Sequence, residues 1–394
     1  MRDAGTRGWI GGLALASMML LAACGPPPAT VPSESAAATE PGEVVADAGW
    51  LKGQLHLHSN VSGDSETPPA DVVRWYAEHG FDFIVFTDHD RITEVPAPAP
   101  ASAGGQPPML VIPGIELTQN LERCEPPPEP GLQCLLHVNG LFVGNDTSVI
   151  GSVPAPTGID RLELYAHAIA VTEALGGVAL LNHPNFHYAA DADLVAALAG
   201  RGLSLLEIAN EAVDSNNEGD RAHPSTEALW DAVLSTGARV WGVATDDAHH
   251  YYDARQVRDH GRLAHVGNRG WVMVRAERSP AAIRAALQRG EFYASNGVTL
   301  REVAWDGERL RIAVDDASEG VHRFTFIGDG GKVLERQRGR EATFGVPRGH
   351  HGYVRAVVED PQGRKAWVQP VWSPTSEPAL NGDAARTDPE ARPS

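Results

Sequence analysis

The chain has 394 residues, of which 42% are hydrophobic, and it carries a formal net charge of −19 at pH 7. This length fits one large domain followed by a smaller module. The negative charge argues against a nucleic-acid-binding surface, because such surfaces are basic where they meet phosphates. It does not argue against a phosphorylated substrate, because bound metal ions can reverse the charge locally.

The first residues have the pattern of an export signal. Arg2 and Arg7 precede an apolar run, residues 9–23, that is short for a membrane-spanning helix and ends in small residues before Cys24. This ending is similar to a bacterial lipobox, and it predicts a signal peptide at residues 1–24 with a lipidated Cys24. The protein would then be held on the bacterial cell envelope, facing the periplasm or the exterior. The alternative is an ordinary cleaved signal in which Cys24 has no special role.

The next segment, residues 25–49, is rich in Pro, Ala, Ser and Glu and has no hydrophobic period. It predicts a flexible tether between the anchor and a folded domain. Beyond it only Cys124 and Cys134 remain, on either side of a Pro-rich loop. In an oxidising compartment this arrangement predicts a disulfide across a surface hairpin, and two free cysteines are the alternative.

Short apolar runs alternate with helical patterns over residues 50–297. The runs predict buried parallel strands at 54–57, 83–86, 109–112, 135–143, 178–181, 203–208, 240–244 and 271–274. Helices are predicted at 71–79, 159–175, 190–199, 225–235 and 280–289. The repeated order of strand and helix predicts an α/β barrel, with an open doubly wound sheet as the second choice.

The pattern changes to β-rich after residue 297. Strands are predicted at 309–314, 322–327, 353–358 and 366–371, separated by turns rich in Gly, Asp and Pro. No helix of any length fits between these segments. We therefore expect a small all-β, sandwich-like domain at residues 298–373. The polar end of the chain, residues 374–394, is expected to be disordered.

Acidic and imidazole side chains collect at or near the ends of the predicted strands. They are His56, His58, Asp88, His89, Glu116, His137, His183, Asp246, Asp247 and His249. Barrel enzymes place their chemistry at the carboxyl ends of strands, whereas core packing gives no reason for such residues to collect there. Oxygen and imidazole ligands without thiolates suit Mn, Fe(II) or Zn. Each motif alone has a structural alternative, such as a helix cap or a core histidine, but together they predict a metal site.

The motifs resemble those of the polymerase and histidinol phosphatase (PHP) metallohydrolases. The resemblance is carried by His56-Leu57-His58-Ser59 with Asp64, Thr87-Asp88-His89-Asp90, Gly114-Ile115-Glu116, His137, Asn182-His183-Pro184 and Asp247-Ala248-His249. Residues 242–250 and 292–297 are similar to the branch that includes carbaryl hydrolase. The resemblance implies a distorted (β/α)7 barrel that holds two or three divalent metal ions (Mn, Zn or Fe).

The same resemblance implies a set of ligands for each ion. The first ion would take His56, His58, Glu116 and Asp247; the second would share Glu116 and add His137 and His183; the third would take Asp64, His89 and His249. Asp246 and Asp247 compete for one role, and Asp247 is favoured because it lies two residues before His249, as in the family motif. Asp88, Glu116 and His249 are expected to act in catalysis, with Asp88 orienting a ligand imidazole or taking a proton. For Asp88 a strand-end cap is the alternative.

These residues predict a metal-dependent hydrolase, most simply a phosphoesterase that acts on a small phosphate ester. A carbamate, ester or amide hydrolase is the alternative, because the same activated water attacks either centre. A catalytically silent, anchored protein that binds a metal or a glycan is the alternative of another class, and the open ligand set argues against it. The expected partners are a small-molecule substrate and, through Cys24, a membrane; no nucleic acid is expected.

Overall fold

The structure, a computed structural model, describes residues 49–94 and 107–373. The predicted signal peptide, Cys24, the tether up to residue 48 and the tail after residue 373 lie outside these residues. Within the two described stretches, no helix is both long enough and apolar enough to cross a membrane.

The described chain contains seventeen strands and six helices. The strands are β1 (Trp50–Gln54), β2 (Phe83–Val85), β3 (Leu110–Ile112), β4 (Gly114–Leu121), β5 (Cys134–Leu141), β6 (Val178–Leu181), β7 (Leu205–Asn210), β8 (Trp241–Thr245), β9 (Trp271–Arg275), β10 (Phe292–Ser295), β11 (Leu300–Trp305), β12 (Arg309–Val314), β13 (His322–Gly328), β14 (Lys332–Gly339), β15 (Glu341–Gly345), β16 (Tyr353–Glu359) and β17 (Lys365–Trp372). The helices are α1 (Pro69–Glu78), α2 (Arg161–Ala174), α3 (Ala192–Ala199), α4 (Thr226–Ser235), α5 (Ala254–Asp259) and α6 (Pro280–Arg289).

The strands form three sheets, which confirms a mixed α/β fold. One sheet has nine strands in the order β14-β13-β16-β17-β10-β9-β1-β2-β3, one has five in the order β4-β5-β6-β7-β8, and one has three in the order β11-β12-β15. Helices α2, α3 and α4 are preceded by the N-cap residues Asp160, Asp191 and Ser225, whose side chains accept hydrogen bonds from backbone N–H groups of the first turn. Their apolar faces pack against residues of β5 to β8.

The closed seven-stranded barrel is not confirmed. Within the described residues no ladder of hydrogen bonds joins β3 to β4 or β8 to β9, so the two larger sheets remain open. Several strands are also antiparallel, because β5 pairs in this way with both β4 and β6, and β1 pairs in this way with β9. Residues 122–133 contain no helix that would carry the chain back across the sheet, so β4 returns directly as a hairpin.

The two open sheets nevertheless enclose one core. Leu55, Phe83 and Val272 come from the first sheet and its flanks, and they share a fully buried cluster with Leu205 and Val243 of the five-stranded sheet. Beyond this core the segments that follow β1 and β8 meet, because the His58 N–H donates to the Ala248 carbonyl over 2.9 Å. Polar residues placed after these strands are thereby brought to one end of the core.

The C-terminal strands build a second core. Leu310 and Phe344 of the three-stranded sheet pack against Phe324, Phe326 and Val358 of β13 and β16. This is a sandwich of two sheets, but one of them continues through β17 and β10 to β9 and β1. The sheet therefore crosses the boundary that the sequence predicts at residue 297.

The predicted disulfide is confirmed. Cys124 and Cys134 are bonded across the hairpin of β4 and β5, and both are buried. Arg161 Nε at the start of α2 lies 3.2 Å from Cys124 Sγ, and its NH1 donates to the carbonyl of Ala189. The hairpin end is therefore tied to the segment that follows His183.

Candidate metal centre

All nine side chains that the sequence proposes as ligands come together at one end of the core. Their donor atoms form three groups, each within 4.8 Å: His56, His58 and Asp247; Glu116, His137 and His183; and His58, Asp64, His89 and His249. These groups differ from the three predicted ligand sets at two residues. His58 falls in the third group as well as the first, and Glu116 falls only in the second group.

The first group has the spacing of a metal site. The Nε2 atoms of His56 and His58 lie 3.2 Å apart, and Asp247 Oδ1 lies 3.3 Å from each of them. Glu116 Oε2 is 3.5 Å from His56 Nε2 and 3.3 Å from His58 Nε2. Donors around a tetrahedral zinc ion, with bonds of about 2.0–2.1 Å to nitrogen and oxygen, lie about 3.3–3.4 Å from one another.

Glu116 stands between this group and the second. Its Oε1 lies 3.1 Å from His137 Nδ1 and 3.7 Å from His183 Nε2, while its Oε2 faces His56 and His58. One carboxylate oxygen is therefore directed at each group. This is the arrangement that a carboxylate bridging two ions requires.

The third group is more open. Asp64 Oδ2 lies 3.0 Å from His89 Nε2 and 3.1 Å from His249 Nε2. His89 also approaches Glu116, because its Nδ1 is 3.0 Å from Oε2. The Asp64 side chain is 35% exposed, so this group borders solvent, whereas Glu116 is buried.

Hydrogen bonds hold the imidazoles with one nitrogen directed inward. His56 Nδ1 lies 2.7 Å from Glu207, His137 Nε2 lies 2.9 Å from Asn120 Oδ1, and His249 Nδ1 lies 2.9 Å from the Asp247 carbonyl. All three partners are acceptors, so in each ring the outer nitrogen carries the hydrogen. When the ring is neutral, the inner nitrogen then has the lone pair that a metal ion needs.

Two buried atoms in this cluster lack the hydrogen-bond partner that burial demands. They are Glu116 Oε2 and His137 Nδ1, and both face the other donors. Burial alone would raise the pKa of Glu116, but the imidazoles of His56, His137 and His89 hold that pKa well below its usual range. A buried, ionised carboxylate with an unpaired oxygen is costly unless a cation compensates it. The donor set therefore fits divalent metal ions.

Two of these side chains stand on a left-handed backbone. Asp247 has φ 48° and His183 has φ 22°, and residues other than glycine rarely adopt such positive φ angles. Hydrogen bonds support both positions: the Asp247 N–H donates to the His56 carbonyl over 3.0 Å, and the His183 N–H donates to Glu207 over 2.6 Å. Such strained positions concentrate at functional sites.

The structure separates the roles of the two adjacent aspartates. The Asp246 carboxylate accepts hydrogen bonds from Tyr76 Oη and from the backbone N–H groups of Asn268, Arg269 and Gly270. It is thus saturated and turned away from the imidazoles. Asp247 alone reaches His56 and His58, so the geometry favours Asp247 as the ligand.

Asp88 lies beside the cluster without touching an imidazole. Its carboxylate accepts hydrogen bonds from the backbone N–H and the hydroxyl of Ser59, from the Ser62 hydroxyl and from Thr93. Ser62 Oγ in turn lies 3.0 Å from His58 Nδ1. Asp88 therefore orients a predicted ligand only through Ser62, and it also fixes the loop after β1, as the cap alternative expects.

Sequence reasoning missed the residues that support the ligands. Glu207 holds His56, Asn182 Nδ2 donates to Glu116 Oε1 over 2.7 Å, and Thr118 Oγ1 lies 2.6 Å from His89 Nδ1. The sequence did contain a signal for Glu207. Glu207 and Asn210 are polar residues within the apolar run of β7, where all six positions are buried. Buried polar residues in such a strand require partners.

A cavity of about 180 Å³ opens onto the cluster. One wall consists of proposed ligands, and the other is formed by Phe186, Ala212, Asp214, Ser215 and His265. No lysine or arginine is among the described residues that line it. Positive charge toward a substrate would therefore come from bound ions and from imidazoles.

Comparisons with known proteins include a structural neighbour. No family model matches the chain, and no curated protein sequence matches it. A solved structure from Bacteroides vulgatus, a two-domain protein containing a predicted PHP-like metal-dependent phosphoesterase, aligns with 84% of this chain and 100% of its own at 18% identity, with a TM-score of 0.43. A likeness at this level does not assign a function, so the proposals below rest on the side chains of the site.

Proposed function

We propose that the protein is a metal-dependent hydrolase whose centre holds two or three divalent ions. The observation that carries this proposal is the Glu116 carboxylate, buried between two groups of inward-facing donors with one oxygen directed at each. His56, His58 and Asp247 would hold one ion, and His137 and His183 a second, with Glu116 shared. Asp64, His89 and His249 would hold a third.

The chain's own residues explain why such a centre is suited to hydrolysis. When bound, paired divalent ions supply a water nucleophile at neutral pH and polarise the substrate oxygen. Glu116 and Asp247 reduce the net charge of the centre and fix the separation of the donor groups. The open side of the cluster faces the cavity, where Phe186 and Ala212 supply an apolar wall and Ser215 and His265 supply polar atoms.

As substrate we propose a small phosphate ester. Three donor groups around one cavity would place several positive charges near the oxygens of a phosphoryl group, which metal clamps stabilise in this type of reaction. The small volume favours a compact ester over a polymer. A carbamate or carboxylic ester is the second candidate, and the absence of lysine and arginine from the described cavity walls favours it.

A substrate panel tests the proposal. The purified chain is assayed with p-nitrophenyl phosphate, bis-p-nitrophenyl phosphate and 1-naphthyl methylcarbamate, with added Mn²⁺ or Zn²⁺, beside the Glu116→Gln variant. We expect metal-dependent turnover of p-nitrophenyl phosphate that the variant lacks. Turnover of the carbamate alone would replace the phosphoesterase by the second candidate. Metal binding without turnover of any ester would favour a silent binding protein.

A further inference from the structure

Glu207 is a fully buried carboxylate on β7, a strand that carries none of the proposed ligands. Both of its oxygens are occupied. Oε1 lies 2.7 Å from His56 Nδ1 and accepts a hydrogen bond from Thr245 Oγ1 over 2.6 Å. Oε2 accepts hydrogen bonds from the backbone N–H of His183 over 2.6 Å and from Asn210 Nδ2 over 2.9 Å.

The contact with His56 fixes which nitrogen of that ring faces the cluster. Because an ionised carboxylate only accepts hydrogen bonds, Nδ1 must carry a hydrogen, and in the neutral ring Nε2 then directs its lone pair toward Glu116 and Asp247. A carboxylate in this position also increases the basicity of the imidazole. Glu207 thereby prepares one donor of the first group.

The contact with His183 reaches the second group. The left-handed backbone at this residue, with φ 22°, is costly, and the hydrogen bond from its N–H to Oε2 holds it in place. Asn210 extends the same connection, since its Nδ2 also donates to Asp247 Oδ2 over 3.2 Å. The Glu207 carboxylate thus contacts His56 of the first group and the backbone of His183 of the second. Through Asn210 it is also connected to Asp247 of the first group.

We propose that Glu207 is a positioning residue that couples the first and second donor groups, so that both reach their full affinity for metal only when it is present as a carboxylate. This inference rests on the proposed metal centre. The competing interpretation is a buried polar cluster that only stabilises the fold. The two interpretations differ in what happens to metal affinity when the carboxylate charge is removed.

The test compares Glu207→Gln with Asp231→Asn. Asp231 is another buried carboxylate, on α4, which accepts hydrogen bonds from Arg355 and has no contact with the proposed ligands in the described chain. Affinity is measured by Co²⁺ titration, following the visible absorption of the bound ion, and stoichiometry by elemental analysis after dialysis. Circular dichroism shows that each variant is folded.

We expect Glu207→Gln to bind Co²⁺ roughly 10–100-fold more weakly, with an altered absorption spectrum, while Asp231→Asn loses stability but keeps wild-type affinity and spectrum. If Glu207→Gln does not fold, Thr245→Val, which removes one hydrogen bond to Oε1, should show a smaller loss in the same direction. A folded Glu207→Gln with wild-type affinity and spectrum would overturn the inference, as would equal weakening in Asp231→Asn. A wild-type chain that binds no Co²⁺ would refute the proposed function itself, and this inference with it.

Discussion

Two of the buried polar clusters in the described part of the chain differ in how their charges are balanced. At the junction of α4 and β16, Asp231 accepts hydrogen bonds from Arg355 Nε over 2.6 Å, from Arg355 NH2 over 2.7 Å and from Tyr353 Oη over 2.7 Å. A carboxylate meets a guanidinium there, so the charges cancel within the protein. At the other cluster, three carboxylates and six imidazoles turn their donor atoms toward one another.

The comparison teaches how a structural cluster is distinguished from a functional one. Both oxygens of the Asp231 carboxylate accept hydrogen bonds, although Arg355 Nη1 donates none, and the pair joins the helix to the C-terminal sheet. The carboxylate of Glu116 has a buried oxygen without any hydrogen-bond partner, beside His137 Nδ1 in the same condition. We therefore expect bound metal ions to balance the charges of this cluster. The predictions below separate the two clusters.

The largest effect is expected from Glu116→Gln. The amide keeps the shape of the side chain but removes the charge and one oxygen that faces the donors. Turnover of the substrate found with the panel should fall by more than the roughly 10–100-fold expected for loss of a supporting residue. Steady-state kinetics on protein shown to be folded by circular dichroism measures the loss. Near wild-type turnover would refute the assignment of Glu116 as the shared ligand, and Asp247 would be the next residue to test.

Asp231→Asn should affect stability and leave the centre intact. It removes the nearest counter-charge of the buried Arg355 guanidinium and leaves only Glu227, whose Oε2 lies 3.7 Å from Nη1. We expect a loss of up to about 3–5 kcal/mol in the free energy of unfolding. Urea denaturation measures this. Glu291→Gln is the control, because it removes an exposed pair with Arg289 that is worth at most about 1 kcal/mol. Loss of metal affinity without loss of stability in Asp231→Asn would contradict the distinction between the clusters.

Sequence motifs identified the residues whose donor atoms lie together, whereas they predicted the arrangement of the sheets only in part. Motifs such as His56-x-His58 and Asp247-x-His249 are local, and the strand that precedes each pair places both side chains near one end of the core. The five predicted helices of the first region are present, with ends shifted by no more than two residues. The disulfide was also predictable, because Cys124 and Cys134 bracket a short loop.

What sequence reasoning missed depends on pairing over long distances. An apolar run predicts a strand but not its direction, so the antiparallel return of β5 was not foreseen. Strands β14 and β15 have largely exposed residues and lack an apolar run of the kind that predicted strands elsewhere. Glu207 was passed over because its partners, His56 and His183, are far from it in sequence.

Asp88→Asn should have a smaller effect than Glu116→Gln. Asp88 acts on His58 through the Ser62 hydroxyl, so its loss should loosen one ligand rather than remove it. We expect turnover to fall roughly 10–100-fold with the metal content unchanged. Ser62→Ala should reproduce part of the loss. If Asp88→Asn abolished activity as fully as Glu116→Gln, Asp88 would have to contact the substrate directly.

The smallest expected effect is the release of protons when metal binds to the third donor group, which contains His89. Burial alone would lower the pKa of His89, but Glu116 and Asp64 raise it to about 10. At neutral pH the His89 ring is therefore a positively charged imidazolium before metal binds, and the ion must displace one of its two N–H protons. Metal affinity should rise with pH up to about 10. Calorimetry in buffers of different ionisation enthalpy measures the release, and buffer-independent heats would contradict it.

The most direct test of the central claim is the metal content of the purified protein. Elemental analysis is carried out on the wild-type chain, on Glu116→Gln and on Asp231→Asn, each confirmed to be folded and dialysed against metal-free buffer. The incomplete donor cluster predicts two or three divalent ions per wild-type chain, the same number in Asp231→Asn, and the loss of at least one ion in Glu116→Gln. A folded wild-type chain that retains no ion, or a Glu116→Gln variant that retains them all, would contradict the account.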